Sequence, residues 1–354
     1  MPGDPPDMNK IYINGHFLQQ QLTGVQRYGR EILKGFDRGG YPYEIIKPQK
    51  LFSSSRIGRN LWQQMILPTR IKRRDVLWSP ANSGPVFAEH HVITLHDIAI
   101  FPHPEWFSAS YANWKRMVIP QIARRAKGIL TVSAFSKSII CDHLDLDPQK
   151  VRVVYNGVDT GRFKPASESA IQQVCNKYNL TTPYLLTLGS LNPRKNFRGT
   201  IEAWERCKKQ EGLEHFVLAI AGGSHANFSS LDLDLSGGSV KLLGYVDDEE
   251  LPALYSGATG FILPSLFEGF GLPVIEAMAC GTPVITSNTT ALDEISGDAA
   301  LKVSPYDTNA IKEGILELLS SPELQADLVD RGIKRARHFS WDKAAKEIYD
   351  YLSG

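Results

Sequence analysis

Two glutamates and a pair of basic residues are the clearest chemical features of this sequence. Glu268 and Glu276 lie in EGFGLPVIE, where two glycines and a proline lead into a helix-like run. Arg194 and Lys195 lie in LNPRKN, which directly follows an apolar run. An arginine fork and a lysine point charge suit a diphosphate, and a carboxylate can accept hydrogen bonds from neighbouring sugar hydroxyls. These residue types together predict a site for a diphosphate flanked by hydroxyl-rich rings.

The turn between the two glutamates predicts how the anion is held. Pro273 suits the first turn of a helix, because a backbone N–H has no partner there. The free N–H groups of that turn and the helix dipole favour a bound anion. Gly269 and Gly271 remove side chains that would keep the anion away from the backbone. Taken singly, Glu268 and Glu276 are also explained as a solvated turn acid and a dipole-stabilised helix acid. The combination with the basic pair favours the binding site.

Short apolar runs that alternate with helix-like segments must position these residues. Runs rich in Val, Ile and Leu on both faces are typical of parallel strands covered by helices. The sequence therefore predicts an α/β protein with two Rossmann-like, doubly wound parallel-sheet domains that face a cleft, with ligands at the carboxyl ends of the strands. We expect a first domain over residues 8–160 with a C-terminal helix over 339–354, and a nucleotide-binding domain over 161–338. The predicted strands lie within residues 11–15, 43–48, 75–80, 91–97, 128–133, 151–157, 184–190, 216–223, 239–246, 258–265, 282–287 and 300–305.

Composition limits the classes of function. A chain of 354 residues is long for one core, which favours two domains. A formal net charge of +1 argues against a nucleic-acid partner. The four cysteines are widely spaced, which is typical of reduced thiols in a cytoplasmic protein. No apolar run reaches the roughly 18 residues of a membrane span, and the opening MPGDPPD indicates a disordered lead-in rather than a signal peptide.

Two predicted strand ends in the first domain carry further candidates. His96 follows a strand, so we expect it on the rim, where it either faces a ligand or satisfies its own loop backbone. Its strand-end position favours the ligand. Asp97 is interpreted as a loop or helix cap. Gly24 follows the first strand before a helix, where it either admits a phosphate or acceptor or forms a plain tight turn.

Residues 56–74 contain several basic residues and no acid. Such a segment could rest on an anionic bilayer with its apolar side chains in the interface. Alternatively, the apolar side chains pack into the first domain while the basic groups stay solvated. The sequence leaves both interpretations open. The apolar residues concerned are Leu61, Trp62, Met65, Ile66 and Leu67.

The run EGFGLPVIEAMACGTPVI resembles the signature of retaining glycosyltransferases of the two-domain GT-B fold, family 4. NPRKN, LGYV, VVYNGVD and SGDAALKVSP occur in the family's order, so the resemblance covers about residues 11–350. It implies that Glu268 binds the donor sugar, Glu276 the ribose, and Arg194 with Lys195 the diphosphate. Ser190 stands where many members carry an arginine, so we expect Arg194 to supply that charge.

The resemblance also implies roles for other positions. His96 matches a histidine near the reacting sugar carbon. Backbone groups would contact the donor sugar at Phe270, Gly271 and Leu272, and the base at Tyr245 and Val246. Gly24, Ser190 and these backbone positions complete the predicted donor site.

The implied reaction is transfer of a hexose, first of all mannose from GDP-mannose, to a saccharide acceptor with retention of configuration. It implies no metal cofactor. LTGVQRYGREI and HDIAIFPHPEW resemble bacterial enzymes of surface-polysaccharide and O-antigen synthesis. That resemblance implies a lipid-linked acceptor and a cytoplasmic enzyme at the inner face of the plasma membrane.

Other functions fit parts of the sequence. A metal-dependent transferase would use an Asp-x-Asp pair, and Asp145 with Asp147 or Asp232 with Asp234 have that spacing, although neither pair follows a predicted strand. A glycosidase needs two carboxylates that flank one bond. A nucleotide-sugar epimerase and a non-catalytic sugar-nucleotide-binding protein of the same fold are further alternatives.

Overall fold

The computed structural model describes residues 9–20, 23–49, 52, 55–180, 183–223 and 238–354. The predicted lead-in and the pair Asp232 and Asp234 lie outside these ranges. The chain forms two units, and it passes between them at residues 101/102, 112/113, 157/158 and 339/340. The first unit holds residues up to 101, 113–157 and 340–354, and the second unit holds 102–112 and 158–339.

The first unit contains a parallel sheet in the order β2-β1-β3-β4-β5-β6. Chain direction across the sheet reverses between β1 and β3, because β2 lies on one side of β1 and every later strand on the other. Strands β3, β4 and β5 are buried along their whole length, which explains their continuous apolar sequences. The strands are β1 (Ile11–Asn14), β2 (Glu44–Ile46), β3 (Val76–Ser79), β4 (His91–Thr94), β5 (Gly128–Thr131) and β6 (Val151–Val153).

Helices of the first unit cover this sheet, and the C-terminal helix is one of them. That helix packs closely on the first one, because an added Cβ at Gly35 would lie 2.5 Å from the Cβ of Ala345. Ser340 caps the C-terminal helix by accepting a hydrogen bond from the Lys343 N–H. The helices are α1 (Gly24–Gly39), α2 (Arg56–Leu61) continued by a π-helical turn (Trp62–Ile66), α3 (Ala109–Arg125), whose first residues belong to the second unit, α4 (Ala134–Leu144) and α12 (Trp341–Ser353).

The second unit contains a parallel sheet in the order β12-β11-β10-β7-β8-β9. Numbered from its first strand this is the 3-2-1-4-5-6 order of dinucleotide-binding folds, with the reversal between β7 and β10. The strands are β7 (Tyr184–Leu188), β8 (Val217–Ala221), β9 (Val240–Gly244), β10 (Gly260–Leu263), β11 (Val284–Ser287) and β12 (Leu301–Val303). The helices are α5 (Glu168–Lys177), α6 (Phe197–Cys207), α7 (Leu251–Ser256), α8 (Leu272–Ala279), α9 (Thr290–Ser296), α10 (Thr308–Ser320) and α11 (Pro322–Ala336).

The prediction of two doubly wound parallel-sheet domains is confirmed, and each of the twelve predicted apolar runs contains a strand. The observed units group residues 102–112 with the second unit, and the chain changes unit at 157/158 and 339/340, where the expected ranges changed at 160/161 and 338/339. All four cysteines are buried thiols. None of the helices in the described ranges is long and apolar enough to cross a bilayer.

Candidate active site

The candidate site lies where the second sheet reverses direction. Residues 189–196 follow β7, and residues 264–271 follow β10, which is the neighbour of β7. Loops at the carboxyl ends of two strands on either side of such a reversal diverge and leave a crevice for a ligand. The two loops are also tied together, because the Leu266 N–H donates to the Arg194 carbonyl at 2.8 Å. The sequence-predicted basic pair and Glu268 therefore lie at the place where this fold binds ligands.

Four side chains from these loops form a charged cluster: Arg194, Lys195, Ser265 and Glu268. Lys195 Nζ lies 2.5 Å from Glu268 Oε1, and Arg194 Nη1 lies 3.1 Å from Oε2. The Ser265 hydroxyl donates to Oε1 at 3.1 Å. Lys195 and Glu268 are only 5% exposed. Each carboxylate oxygen is thus held by a cation, and one of them also accepts from a hydroxyl.

The charged cluster keeps Glu268 ionised. Burial alone would raise the pKa of Glu268, but the positive charges of Lys195 and Arg194 outweigh it and lower the pKa below its ordinary value. One carboxylate is shared by two cations, so the cluster carries a net positive charge. That excess charge suits an anionic ligand. It also orients the cations before a ligand arrives.

Glu276 lies on helix α8, and the residue is 4% exposed. The Tyr255 hydroxyl donates to Glu276 Oε2 at 3.2 Å. Pro273 lies in the first turn of α8, as its sequence position predicted, and Gly271 is the N-cap with a φ of 101°. A side chain at Gly271 would be strained in that conformation, and its Cβ would lie 2.4 Å from the Leu292 side chain. The start of α8 thus needs glycine.

The other predicted donor-side positions of the second unit follow β7, β9 and β10. Ser190 accepts hydrogen bonds from Asn192 Nδ2 at its carbonyl and hydroxyl oxygens. Tyr245 is 66% exposed whereas Val246 is buried. Phe270 is buried edge-on against another aromatic ring, and Leu272 is the first residue of α8.

The ends of β7 and β8 approach very closely. A Cβ at Gly222 would lie 1.8 Å from the Gly189 carbonyl oxygen, so only glycine fits at that position. The Leu191 N–H donates to the Gly223 carbonyl at 3.0 Å. This contact holds the loop that carries Arg194 and Lys195 against the end of β8. The glycines after both strands were visible in the sequence, but the contact between them was not predicted.

His96 lies just after a strand, as the sequence predicts, and its ring makes local contacts. It follows β4, but its side chain is buried against the edge of the Tyr28 ring, with centroids 4.5 Å apart. Its Nε2 lies 2.8 Å from the Pro80 carbonyl oxygen. A carbonyl only accepts, so Nε2 carries the proton and Nδ1 is left as the acceptor. Burial lowers the pKa of His96 to about 4, so the ring is neutral. A role for His96 in catalysis stays a prediction.

Asp97 and Gly24 have local roles in the structure. The Asp97 carboxylate accepts from the Ala99 N–H at 3.2 Å, which is a loop-stabilising contact. Gly24 is the first residue of α1 and follows Thr23 in extended conformation at the N-cap. Asp145 caps the end of α4 in a left-handed conformation, and Asp147 caps the next short helix. Asp145 and Asp147, one of the two Asp-x-Asp pairs, therefore have capping roles.

Sequence reasoning missed His103. Residues 102–112 belong to the second unit, and the His103 ring stacks on the Trp106 ring with centroids 3.9 Å apart. Its edge contacts Phe267 at 6.2 Å between centroids, and Phe267 directly precedes Glu268. The signal was present in FPHPEW, where a histidine stands three residues before a tryptophan. Only the fold places that segment beside the loop of Glu268.

The described residues include no group of three or more His, Cys, Asp or Glu side chains placed to hold a metal ion. The positive charge of the candidate site comes instead from Arg194, Lys195 and the start of α8.

Comparison with known proteins identifies the family. The chain matches the model described as "Glycosyltransferase Family 4" over residues 22–162 and the model described as "Glycosyl transferases group 1" over 171–335. It is 34% identical to O-antigen chain mannosyltransferase B of Escherichia coli over 73% of this chain and 69% of the relative. The chain belongs to glycosyltransferase family 4. It is therefore a glycosyltransferase that uses a nucleotide-sugar donor and a sugar acceptor.

Two further comparisons extend this result. The glycosyltransferase is 30% identical to O-antigen chain mannosyltransferase RfbU of Salmonella typhimurium over 78% of this chain and 76% of the relative. Among solved structures it resembles Anabaena HepE in complex with UDP-glucose, with a TM-score of 0.74 at 18% identity over 98% of this chain and 99% of the other. That structural similarity supports the GT-B fold predicted from the sequence.

Proposed function

We propose that the charged cluster of this glycosyltransferase binds the diphosphate of the donor and that Glu268 binds the transferred sugar. The observation that carries the proposal is the position of Arg194, Lys195 and Glu268 at the β7/β10 reversal, with two cations sharing one carboxylate. Glu276 binds the ribose hydroxyls, oriented by Tyr255. The N–H groups at the start of α8 add positive potential for the phosphate oxygens.

The proposed mechanism follows from the charge that develops during transfer. As the bond between the sugar and the phosphate breaks, negative charge grows on the departing diphosphate. Arg194, Lys195 and the start of α8 stabilise that charge, so a separate acid is not needed. We propose attack from the same face as the departing group, with a phosphate oxygen receiving the proton of the acceptor hydroxyl. This route retains the configuration of the sugar carbon.

We propose mannose from GDP-mannose as the donor and a lipid-linked saccharide of O-antigen synthesis as the acceptor. The support is the name shared by relatives in Escherichia coli and Salmonella typhimurium, both O-antigen chain mannosyltransferases. Such an acceptor places the enzyme in the cytoplasm, at the inner face of the plasma membrane. We also propose that no metal ion takes part, since the charged cluster supplies the positive charge.

A panel of nucleotide sugars tests the donor assignment. GDP-mannose should raise the melting temperature more than UDP-glucose or free mannose, because a ligand that binds the folded state stabilises it by mass action. Transfer of mannose to membrane-extracted lipid acceptor should continue in EDTA. A larger shift with UDP-glucose would contradict the donor assignment, and loss of transfer in EDTA would contradict the metal-free mechanism.

An acceptor-free reaction separates transfer from epimerisation. The family assignment favours transfer, so incubation with the donor alone should leave the sugar unchanged apart from slow hydrolysis. Conversion of the donor to an epimer without acceptor would support the epimerase alternative. Donor binding with no turnover on any lipid extract would support a non-catalytic protein.

We also propose contact with an anionic membrane through an apolar stripe formed by Ile57, Leu61 and Met65. These side chains are 74%, 53% and 68% exposed. They are spaced four residues apart along α2 and the turn that follows it, which brings them to one side. Basic residues follow the stripe at Arg70, Lys72, Arg73 and Arg74. Exposed apolar groups beside basic groups are suited to an anionic lipid surface.

The two interpretations of residues 56–74 each apply to part of the segment. Trp62 and Leu67 are buried in a cluster with Leu77 of β3. These contacts anchor the segment to the first unit, as the packing interpretation expected. The apolar stripe stays outside that cluster. The segment therefore has one anchored side and one exposed apolar side.

Vesicle sedimentation tests the membrane proposal. The enzyme should sediment with phosphatidylglycerol vesicles at low salt and much less with phosphatidylcholine vesicles. Ile57→Gln with Met65→Gln should reduce binding about tenfold, because each lost apolar side chain removes buried area from the interface. Leu242→Gln is the matched control, since Leu242 is another exposed apolar residue, on β9. Equal sedimentation of the double variant and the enzyme would contradict the proposal.

A further inference from the structure

The first sheet has its own reversal point, between β1 and β3. By the rule that applies to the second sheet, a ligand site is expected beside the loops that follow these two strands. His16 lies just after β1, and Asn82 with Ser83 lies after β3. The side chains of Asn14 and Ser79, at the ends of the two strands, are hydrogen-bonded at 3.1 Å. The donor-side cluster of the second unit does not use any of these residues.

A chain of hydrogen bonds fixes the protonation of His16. The Thr23 hydroxyl donates to Gln26 Oε1, and Gln26 Nε2 donates to Gln20 Oε1. Gln20 Nε2 then lies 3.3 Å from His16 Nδ1. An amide nitrogen only donates, so Nδ1 must accept and Nε2 must carry the proton of the neutral ring.

The His16 Nε2–H is a buried donor with no hydrogen-bond partner among the described residues. His16 is 6% exposed, so the donor is not satisfied by bulk water. Buried donors are almost always paired in folded proteins, and an exception calls for an explanation such as a missing ligand. The hydrogen-bond partner of this N–H must be an acceptor atom, such as an oxygen.

The surroundings of His16 are positively charged. Burial, together with the positive charges of Arg59 and Lys115, lowers the pKa of His16 to about 4. Lys115 Nζ donates to the Asn82 carbonyl at 2.6 Å, so its charge lies at the loop after β3. Gln63, which is 2% exposed, has a second buried donor, Nε2, with no partner among the described residues. Gln63 and Lys115 line one small cleft, whose other walls are both polar (Asn60, Gln64, Asn82) and apolar (Val118, Ile119, Ile122).

We propose that His16, Arg59 and Lys115 form a phosphoryl-binding subsite in the first unit that takes a phosphate group of the acceptor. The ligand must be rich in acceptor oxygens because the site presents N–H donors. It must be anionic because two cations lie near the buried ring. The inference of a phosphoryl ligand depends on these three residues alone. The inference that the ligand belongs to the acceptor rests on the proposed function. A lipid-linked saccharide carries such a group at its lipid linkage.

Histidine side-chain NMR tests the subsite directly. Inorganic pyrophosphate should shift the His16 Nε2–H signal, which is assigned by its loss in His16→Gln. Lys115→Met should weaken pyrophosphate binding at this signal about tenfold, because hydrogen bonds to charged groups are the stronger ones. Lys115→Arg should restore it. Lys127→Met, an exposed lysine of the same unit, is the matched control. No response of the His16 signal to pyrophosphate in the folded enzyme would overturn the proposal.

Titrations with two further ligands identify the source of the phosphoryl group. Farnesyl diphosphate should shift the His16 signal, and GDP should not. A shift with GDP alone would assign the subsite to the donor and overturn its assignment to the acceptor. The response to pyrophosphate should persist in Arg194→Gln, which impairs the charged cluster of the second unit. Failure of GDP to bind that cluster would contradict the proposed function without changing the His16 result.

Discussion

The buried histidines of the first unit and the buried Glu268 of the second unit differ in charge. The first unit buries His16, His91 and His96, whose pKa values burial lowers to about 4, 3 and 4. These rings are therefore neutral near pH 7. The second unit buries Glu268 together with Lys195 and keeps the carboxylate charged. One unit thus provides neutral hydrogen-bond donors and acceptors, and the other provides a pre-arranged set of charges.

This difference fits the chemistry of a glycosyltransferase. Stabilising the charge on a departing diphosphate needs fixed cations, and a carboxylate that accepts from both cations keeps them in place. Neutral imidazoles avoid the cost of a buried charge without a counter-ion. The contrast predicts that removing the charge of Glu268 lowers the activity of the enzyme. It also predicts that protonating the buried histidines lowers the stability of the first unit.

The largest expected effect is that of removing the charge of Glu268. Glu268→Gln should lower the rate of transfer by about 10²–10³-fold, the usual loss for one group that contacts the reacting centre. GDP affinity should be retained, because both cations remain. Rate and affinity are read from initial-rate assays and calorimetry. The matched control is Glu313→Gln, which changes an exposed acid of the same unit.

Glutamine is preferred to alanine at position 268. Both variants remove the carboxylate, but the glutamine carbonyl still offers Lys195 a hydrogen-bond acceptor. Glu268→Ala would leave the buried ammonium with no acceptor at position 268, at a cost of about 3–5 kcal/mol in the free energy of unfolding. Loss of GDP binding in a folded Glu268→Gln variant would show that the division of roles between Glu268 and the cations is wrong.

Acid should destabilise the first unit before the second. The folded pKa values of the three histidines lie below the value of 6.5 for an unperturbed ring. The unfolded chain then binds more protons, so the free energy of unfolding falls as the pH falls from about 6.5 towards 4. At pH 5 the loss is about 2 kcal/mol for each ring. The pKa of Glu268 is lowered from its ordinary value of 4.5, so Glu268 contributes fully to the free energy of unfolding above pH 4.5.

Hydrogen exchange at pH 7 and pH 5, corrected for the intrinsic exchange rate, measures this difference. Amides of β3, β4 and β5 should lose protection at pH 5, whereas those of β7, β10 and β11 should retain it. His143→Gln is the control, because His143 is an exposed histidine of the first unit and should not change the profile. Equal loss of protection in both units would contradict the contrast.

The smallest expected effect concerns the orientation of Glu276. Tyr255→Phe removes the hydrogen bond to Glu276, which is worth about 1 kcal/mol and should weaken GDP binding about fivefold. Tyr178→Phe is the matched control, because the Tyr178 hydroxyl donates to another carboxylate of the same unit, that of Glu250. It should lower stability and leave GDP affinity unchanged. Equal GDP affinity in the enzyme and Tyr255→Phe would exclude an orienting role.

Local sequence patterns were sufficient to predict the fold. The runs that became β7 and β10 are apolar on both faces, which specifies a buried parallel strand without reference to the rest of the chain. Glu268, Arg194 and Lys195 could be predicted to approach one another, because carboxyl ends of parallel strands lie at one edge of a sheet. The glycine–proline start of α8 was likewise readable from local rules.

Contacts between distant segments could not be predicted. Nothing local in LNPRKN indicates that Arg194 and Lys195 form ion pairs with the carboxylate of Glu268 before a ligand binds. The burial of His96 depends on the Tyr28 ring, which comes from a separate helix. His103 contacts Phe267, which comes from a distant segment of the chain. Sequence spacing within one segment gives no measure of these distances.

The central claim is that the charged cluster binds the donor diphosphate, and calorimetry on Arg194→Gln tests it most directly. Arg194 is half-buried, so this substitution disturbs packing less than a change at Lys195. GDP should bind the variant about tenfold more weakly or worse, as expected for the loss of a charged hydrogen bond, while guanosine binds both proteins alike. Arg206→Gln, an exposed arginine of the same unit, should not change either affinity. Equal affinity of the enzyme and Arg194→Gln for GDP would contradict the claim.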